Sequence, residues 1–340
     1  MNVALYDPAL GYYNNSNLRR WGREGDYRTS PDRTELFGAT FAKYFADLFE
    51  RAGRPADWII TEFGSGDGSF AASLLESLKA DHPDVFRSTR YIVVEISPDA
   101  RQRISTRVSE FMNKVDFSTS SSLEQINPGV IFSNEFLDAL PVHRLKTVKG
   151  ELLELYIDVS QECKFVWLPG PLSTPRLQEF ITEYAIQLVE GQSLEINLQA
   201  EDWLKNVSRT LEAGYIVTVD YGAESQDLYD PQHRYDGSLR GFSKHAFVSD
   251  LLSAPGEYDI TSTVNWTQVK SVSRSLGLGI NEFASLDRFL MQSGLLEILE
   301  QQMNKASSDA QKLALSTAAR EMILPGGMAA SFQVLIAERA

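Results

Sequence analysis

A chain of 340 residues with 43% hydrophobic and 23% charged side chains has ordinary globular composition and is long for one simple domain, so a core domain with a substantial insertion is expected. A net charge of −14 argues against nucleic acid as a partner, and no apolar run is long enough to span a bilayer. The single Cys163 excludes an intramolecular disulfide, the scattered His82, His143, His233 and His245 lack metal-ligand spacing, and the residues after Met1 carry no basic leader, so a metal-free protein of a reducing, cytoplasmic compartment is expected.

In chain order, Leu5 to Pro31 is rich in aromatics and turn formers without a clear period. It reads as an ordered arm laid over a downstream site, with Asp26, Thr29 and Ser30 as polar contacts; a cap and turn before the next helix is the alternative. Phe37, Phe41, Phe45, Leu48 and Phe49 recur at helical spacing. Trp58-Ile59-Ile60 then reads as a buried strand closing on Glu62, followed by Gly64, Ser65, Gly66 and Gly68 and by a helix carrying Phe70, Leu74, Leu75 and Leu78. Glycines there let the backbone turn sharply against a ligand, and the helix start beyond offers free N–H groups. No lysine follows in the position a P-loop requires. A dinucleotide fingerprint fits only in a shifted register, Gly66-x-Gly68-x-x-Ala71, which places its first glycine awkwardly far from the strand.

The next apolar run, Arg90 to Val94, also ends on an acid, Glu95, followed by Ile96. In doubly wound folds such an acid binds the ribose hydroxyls of an adenosine cofactor, and the spacing between the two strands suits a right-handed crossover. Pro98 to Met112 reads as a helix, Val115 to Phe117 as a third strand, and Gly129 to Ser133 as a fourth. Asn134 and Glu135 fall at the carboxyl end of that fourth strand, where the switch-point rule places a reacting centre. Arg144 to Val148 and Leu152 to Val159 form a predicted hairpin, with Cys163 to Leu168 as an edge strand and Pro175 to Val189 as a helix. Asp202 is the expected cap of a helix to Leu211, and Tyr215 to Val219 the fifth strand, ending at Asp220. Trp266 to Leu276, Asp287 to Gln292 and Leu295 to Met322 are predicted helices; Leu278 to Phe283 and Ser331 to Ile336 complete the sheet.

Glu62-x-Gly64-x-Gly66-x-Gly68 resembles motif I of class I S-adenosylmethionine-dependent methyltransferases. Joined to Gly11-Tyr12-Tyr13, Gly25-Asp26-Tyr27-x-Thr29-Ser30-Pro31, Asn134-Glu135-Phe136-Leu137-Asp138-Ala139-Leu140-Pro141, Glu195-Ile196-Asn197 and Val219-Asp220-Tyr221-Gly222, it is similar to the MidA family, which includes the mitochondrial complex I assembly factor acting on arginine. The resemblance runs from about Leu5 to the last strand, but a preceding helix of the family is short or absent, and His143 to Gly191 has no close counterpart.

The resemblance implies a doubly wound, Rossmann-like α/β fold whose seven-stranded methyltransferase sheet carries an inserted cap. Its divisions are an arm and helix (1–56), the cofactor half (57–143), the cap insertion (144–191) and a second half (192–340). It implies S-adenosyl-L-methionine as cofactor, held by Asp26, Thr29, Ser30, Glu62, Gly64, Ser65, Gly66, Gly68, Glu95, Ile96 and Asn134, with Glu62 facing the methionine amino group. Catalytic candidates are Glu135 first, then Asp220 and Glu195, because a guanidinium acceptor needs carboxylates to neutralise it and accept its proton. The acceptor is a protein side chain, arginine by resemblance; a small molecule is the alternative, and a non-catalytic assembly factor a third reading. A homodimer is allowed; no membrane span and no nucleic-acid partner are expected.

Overall fold

The computed structural model describes residues 1–15, 35–244, 246–324 and 328–340, so Asp26, Thr29 and Ser30 lie outside the described residues. The central strands are β1 (Trp58–Phe63), β2 (Thr89–Val94), β3 (Val115–Ser118) and β4 (Gly129–Asn134). After β4 come β5 (His143–Val148), β6 (Glu151–Val159), β7 (Phe165–Gly170), β8 (Ser193–Ile196) and β9 (Gly214–Ala223). The remainder are β10 (Arg240–Ser243), β11 (Ala246–Val248), β12 (Asp259–Thr261), β13 (Val264–Asn265), β14 (Gly279–Ser285) and β15 (Phe332–Arg339).

The main sheet runs β14-β15-β9-β4-β1-β2-β3, with β13 added beside β9. The pairs from β9 through β3 are parallel, while β15 lies antiparallel to both β9 and β14. This is the expected doubly wound α/β fold. The middle strands are apolar on both faces because helices cover both. On one side α2 is the main cover; in chain order the helices are α1 (Asn2–Tyr6), α2 (Glu35–Arg51), α3 (Ser69–Asp81), α4 (Pro83–Ser88) and α5 (Pro98–Arg107). Phe41 and Phe45 of α2 reach the ring of Phe132 on β4 at 5.2 and 5.8 Å, and Phe70 of α3 stacks on Phe132 at 4.3 Å. These buried rings fix α3, and with it the glycine turn, against the end of the sheet.

The opposite face is covered by α7 (Leu198–Thr210) and α9 (Trp266–Ser275), which follow α6 (Pro175–Glu183) and, between them, α8 (Ser225–Leu228). The α7 cap is Asn197, whose Oδ1 accepts from the Ala200 N–H at 2.9 Å; the expected cap Asp202 lies inside the helix, paired with Arg176. The long helix expected over Leu295 to Met322 is broken into α11 (Leu295–Lys305) and α12 (Asp309–Ile323), after α10 (Leu286–Gln292). Ser308 makes the break: its hydroxyl accepts from the Gln311 N–H and starts a new helix.

The hairpin β5–β6 and the strand β7 lie in a sheet of order β7-β6-β5-β8, which takes β8 from beyond residue 191. Strands β11, β10 and β12 form a third, small sheet. It packs on α1 through Leu5, Tyr12, Tyr258 and Ile260, an association no sequence period announces.

Candidate active site

The turn after β1 is built by backbone sign and by Asp67. Gly64, Gly66 and Gly68 have φ of 72, 55 and 85°, a left-handed region costly for residues with a Cβ. At Gly64 a Cβ would stand 3.3 Å from that of Phe136, and at Gly68 it would stand 3.2 Å from Ile104, so the turn is also wedged between its neighbours. Asp67 Oδ1 accepts from the Ser69 N–H at 3.0 Å and fixes the start of α3, while Arg107 holds its other oxygen.

Glu62 is the last residue but one of β1 and only 2% exposed. Burial pushes its carboxyl up to about 7, and the hydroxyl of Tyr91, donating at 2.7 Å, opposes that shift. The Ser65 hydroxyl beside it opposes the shift as well, and it and the Asn134 Oδ1 across at the end of β4 are buried without a well-aligned partner among the described residues. Orphaned polar atoms around a glycine turn suit the charged end of an amino-acid ligand. Glu95 closes β2; its Oε1 accepts from the N–H groups of Ile96 and Ser97, both at 2.7 Å, which turns the chain there. Burial raises its carboxyl above the ordinary range. Ile96 is 63% exposed beside it, an apolar side chain offered at a polar edge. The glycine turn, Glu62, Glu95, Ile96 and Asn134 therefore share the carboxyl edge of β1, β2 and β4, and fit the cofactor that motif I implies.

The acids expected near the reacting atoms separate into different roles. Glu135 follows β4 with φ of 49°, unusual for a non-glycine residue, and is fastened by its N–H to the Val219 carbonyl at 3.0 Å. Its Oε1 accepts from Asn134 Nδ2 at 3.3 Å. Asp220 does not line a cavity with a free carboxylate: it is fully buried, and Oδ2 accepts from the N–H groups of Phe136, Leu137 and Asp138 at 3.2, 2.9 and 3.3 Å. Its Oδ1 accepts from the Tyr221 N–H at 2.9 Å. Asp220 is thus the peg on which the loop after β4 hangs.

Glu195 lies on β8, in the inserted sheet rather than the main one. It is buried, accepts from the Ser238 N–H at 2.5 Å, and stands 3.3 Å from Arg144 Nε. Burial raises its carboxyl above its usual value, against the pull of Arg144. Gly237 permits this, because a Cβ there would meet Glu195 Oε2 at 2.5 Å. Asp220 and Glu195, both expected at the reacting centre, are thus engaged by the chain itself, Asp220 by the loop after β4 and Glu195 by Ser238 and Arg144.

Sequence reasoning missed the small sheet. Its Arg240 stacks over the Tyr221 ring at 5.4 Å and donates to Thr263 Oγ1 at 2.8 Å. Thr261 and Asp259 stand on β12, and Asp259 accepts from the Tyr13 hydroxyl at 2.8 Å. Tyr6 of α1 donates to the Ala139 carbonyl at 2.9 Å, binding the start of the chain to the loop after β4. The sequence signals for this region were the aromatic density of Tyr6, Tyr12 and Tyr13 and the family-like stretches Ser238 to Phe242 and Pro255 to Thr261, neither of which shows a strand period. Asp138, in the same loop, was also missed. Burial raises the Asp138–Asp220 pair above the usual carboxylate range, with repulsion between them and from Glu135 adding to it on Asp220. The N–H groups gathered on Asp220 favour its charged form and offset part of that repulsion.

Residues 40–284 match a family of S-adenosyl-L-methionine-dependent methyltransferases. Among curated proteins, the Drosophila melanogaster protein arginine methyltransferase NDUFAF7 homolog, mitochondrial, is 26% identical over 309 residues, 82% of this chain and 66% of its own length. The Danio rerio protein arginine methyltransferase NDUFAF7, mitochondrial, is 25% identical over 301 residues, 80% of this chain and 67% of its own. The chain thus spans about two thirds of the length of these relatives. A Burkholderia thailandensis protein solved with S-adenosyl-homocysteine, and described as a methyl transferase, superposes with a TM-score of 0.88 at 26% identity, covering 99% of this chain and 86% of that one. The expected cytoplasmic location is corrected: the curated relatives are named as mitochondrial proteins, and the reducing environment that suits the lone Cys163 does not single out the cytosol.

Proposed function

Because the chain belongs to this family of S-adenosyl-L-methionine-dependent methyltransferases, we propose that it methylates a protein side chain, the guanidinium of arginine. The observation that carries the reading is Glu135, a carboxylate pinned in a left-handed conformation where β4 ends and close enough to Asp220 to raise its pKa. A carboxylate fixed there suits a cationic acceptor. The names of the curated relatives agree with it. The cofactor supplies an electrophilic methyl group; Glu135 orients the acceptor, Asp220 holds the loop carrying Glu135, and the insertion 144–191 caps the acceptor side. Glu62, Gly64, Ser65, Gly66, Gly68, Glu95, Ile96 and Asn134 hold the cofactor in this reading. Transfer of radiolabelled methyl groups to an arginine peptide, but not to its alanine counterpart, is the test; label found only on a small molecule would retire the reading.

Two binding predictions follow from the cofactor residues. Glu95→Ala is expected to weaken S-adenosylhomocysteine binding by about 1.5–3 kcal/mol, through loss of a charged acceptor to the ribose hydroxyls. Calorimetry checks this, and unchanged affinity would exclude Glu95 from the ribose site. The second concerns Glu62, whose folded carboxyl titrates at about 7 against 4.5 for the ordinary group. A raised value means that the folded chain keeps this proton while the unfolded chain has lost it. The group's contribution to stability is therefore full below about 4.5 and is lost as pH rises to about 7. An ammonium beside Glu62 needs the ionised form, so S-adenosylhomocysteine affinity is expected to rise about tenfold from pH 6 to 8. Glu62→Gln should flatten that rise; a slope that survives in the variant assigns the proton to another group.

A further inference from the structure

Asp138 is fixed on both sides of its backbone: its N–H donates to Asp220 Oδ2 at 3.3 Å, and its carbonyl accepts from the Ser262 N–H at 2.9 Å. Its side chain is 4% exposed, yet Oδ1 has no hydrogen-bond partner of good geometry among the described residues. The hydroxyls of Tyr221 and Thr261 likewise lack a well-aligned partner; Tyr221 stands between Asp138 and Thr261, and what the three share is only a loose contact with one another. A buried polar atom left without a partner costs about 1–3 kcal/mol, more for a charged one. Orphans gathered in one place are what a pocket shows when the missing partners arrive with a ligand.

The other groups around Asp138 are committed. Arg240, from the small sheet, offsets part of its charge but spends its N–H groups on Ser238 and Thr263. Asp220, from β9, is saturated by backbone N–H groups. Tyr6, from α1, spends its hydroxyl on the Ala139 carbonyl at 2.9 Å, next to Asp138 in the chain.

We propose that Asp138, with the hydroxyls of Tyr221 and Thr261, forms the acceptor subsite, and that Asp138 Oδ1 receives the proton the acceptor nitrogen gives up. The inference rests on the reading of a cationic nitrogen acceptor. In the transfer the sulfur–methyl bond breaks and its electron pair stays on sulfur, which becomes a neutral thioether. A nitrogen–methyl bond forms, one N–H proton passes to Asp138 and then to solvent, and the methylated guanidinium keeps its single positive charge.

The test uses the whole chain and radiolabelled S-adenosylmethionine with two peptides that differ only in carrying arginine or lysine. Asp138→Asn is expected to slow single-turnover transfer about tenfold or more, with S-adenosylhomocysteine affinity within threefold of the parent. Tyr221→Phe combined with Thr261→Ala should slow it less and leave cofactor binding unchanged. Calorimetric binding of methylguanidinium to the S-adenosylhomocysteine complex, a readout a purely structural Asp138 would not move, should be lost in Asp138→Asn. An unchanged rate and unchanged methylguanidinium binding in a folded Asp138→Asn would overturn the subsite while leaving arginine methylation standing. Transfer to lysine alone, lost in Asp138→Asn, would keep the subsite and retire arginine. No transfer to either peptide and no methylguanidinium binding by the parent would overturn both. If Asp138→Asn fails to fold, the Tyr221 and Thr261 double variant decides, and normal transfer in it would overturn the subsite.

Discussion

Glu135→Gln is expected to lower single-turnover methyl transfer about 10²-fold or more, while S-adenosylhomocysteine affinity stays within a few-fold of the parent. Glutamine keeps size and shape, so the bond from the residue 135 N–H to the Val219 carbonyl and the left-handed φ of 49° are retained. What is removed is the negative charge beside the acceptor. A companion variant, Glu135→Gly, relieves the backbone strain and deletes the side chain; it should be at least as stable as the parent and as slow as Glu135→Gln. If Glu135 served only to shape the turn, the glycine variant would transfer normally. Melting temperature and single-turnover rate measured together separate the two outcomes.

Asp220→Ala is expected to lower stability by about 3 kcal/mol or more, because it strips acceptors from buried N–H groups, each costing roughly 1–3 kcal/mol when left alone. The N–H groups concerned belong to Phe136, Leu137, Asp138 and Tyr221. For a chain of this size that is a fall in melting temperature of about 4 °C or more. Transfer should fall with it, since the loop bearing Glu135 and Asp138 loses its anchor. Asp220→Asn keeps one oxygen for the loop and removes one member of the repelling acid pair, so its loss should be smaller. An alanine variant with the parent's melting temperature would refute the anchoring role.

The sheet was legible in the chain because parallel central strands are buried on both faces and show as apolar runs: Trp58 to Ile60, Tyr91 to Val94, Val130 to Phe132 and Ile216 to Val217. The glycine turn was legible because Gly64, Gly66 and Gly68 each adopt a positive φ, a requirement written in residue type alone. Glu62 and Glu95 were legible by position, each at the end of such a run. The small sheet was not. Its strands run only from Arg240 to Ser243, Ala246 to Val248 and Asp259 to Thr261, too short for a period to emerge, and their partner α1 is remote in sequence.

By itself the sequence determined the doubly wound scaffold, the motif I turn and the acids that close β1 and β2, because each depends on local periodicity, glycine φ or position after a strand. Only the tertiary structure decided what the remaining carboxylates do. Asp220, Glu195, Glu135 and Asp138 are alike as residue types at or near strand ends, and what distinguishes them is the number of donors that distant segments bring. Phe136, Leu137 and Asp138 enclose Asp220, and Ser238 with Arg144 encloses Glu195. Asp138 is buried beside Tyr221 with one oxygen lacking a well-aligned donor. Hydrogen-bond satisfaction is a property of the packed chain, and no spacing along the sequence encodes it.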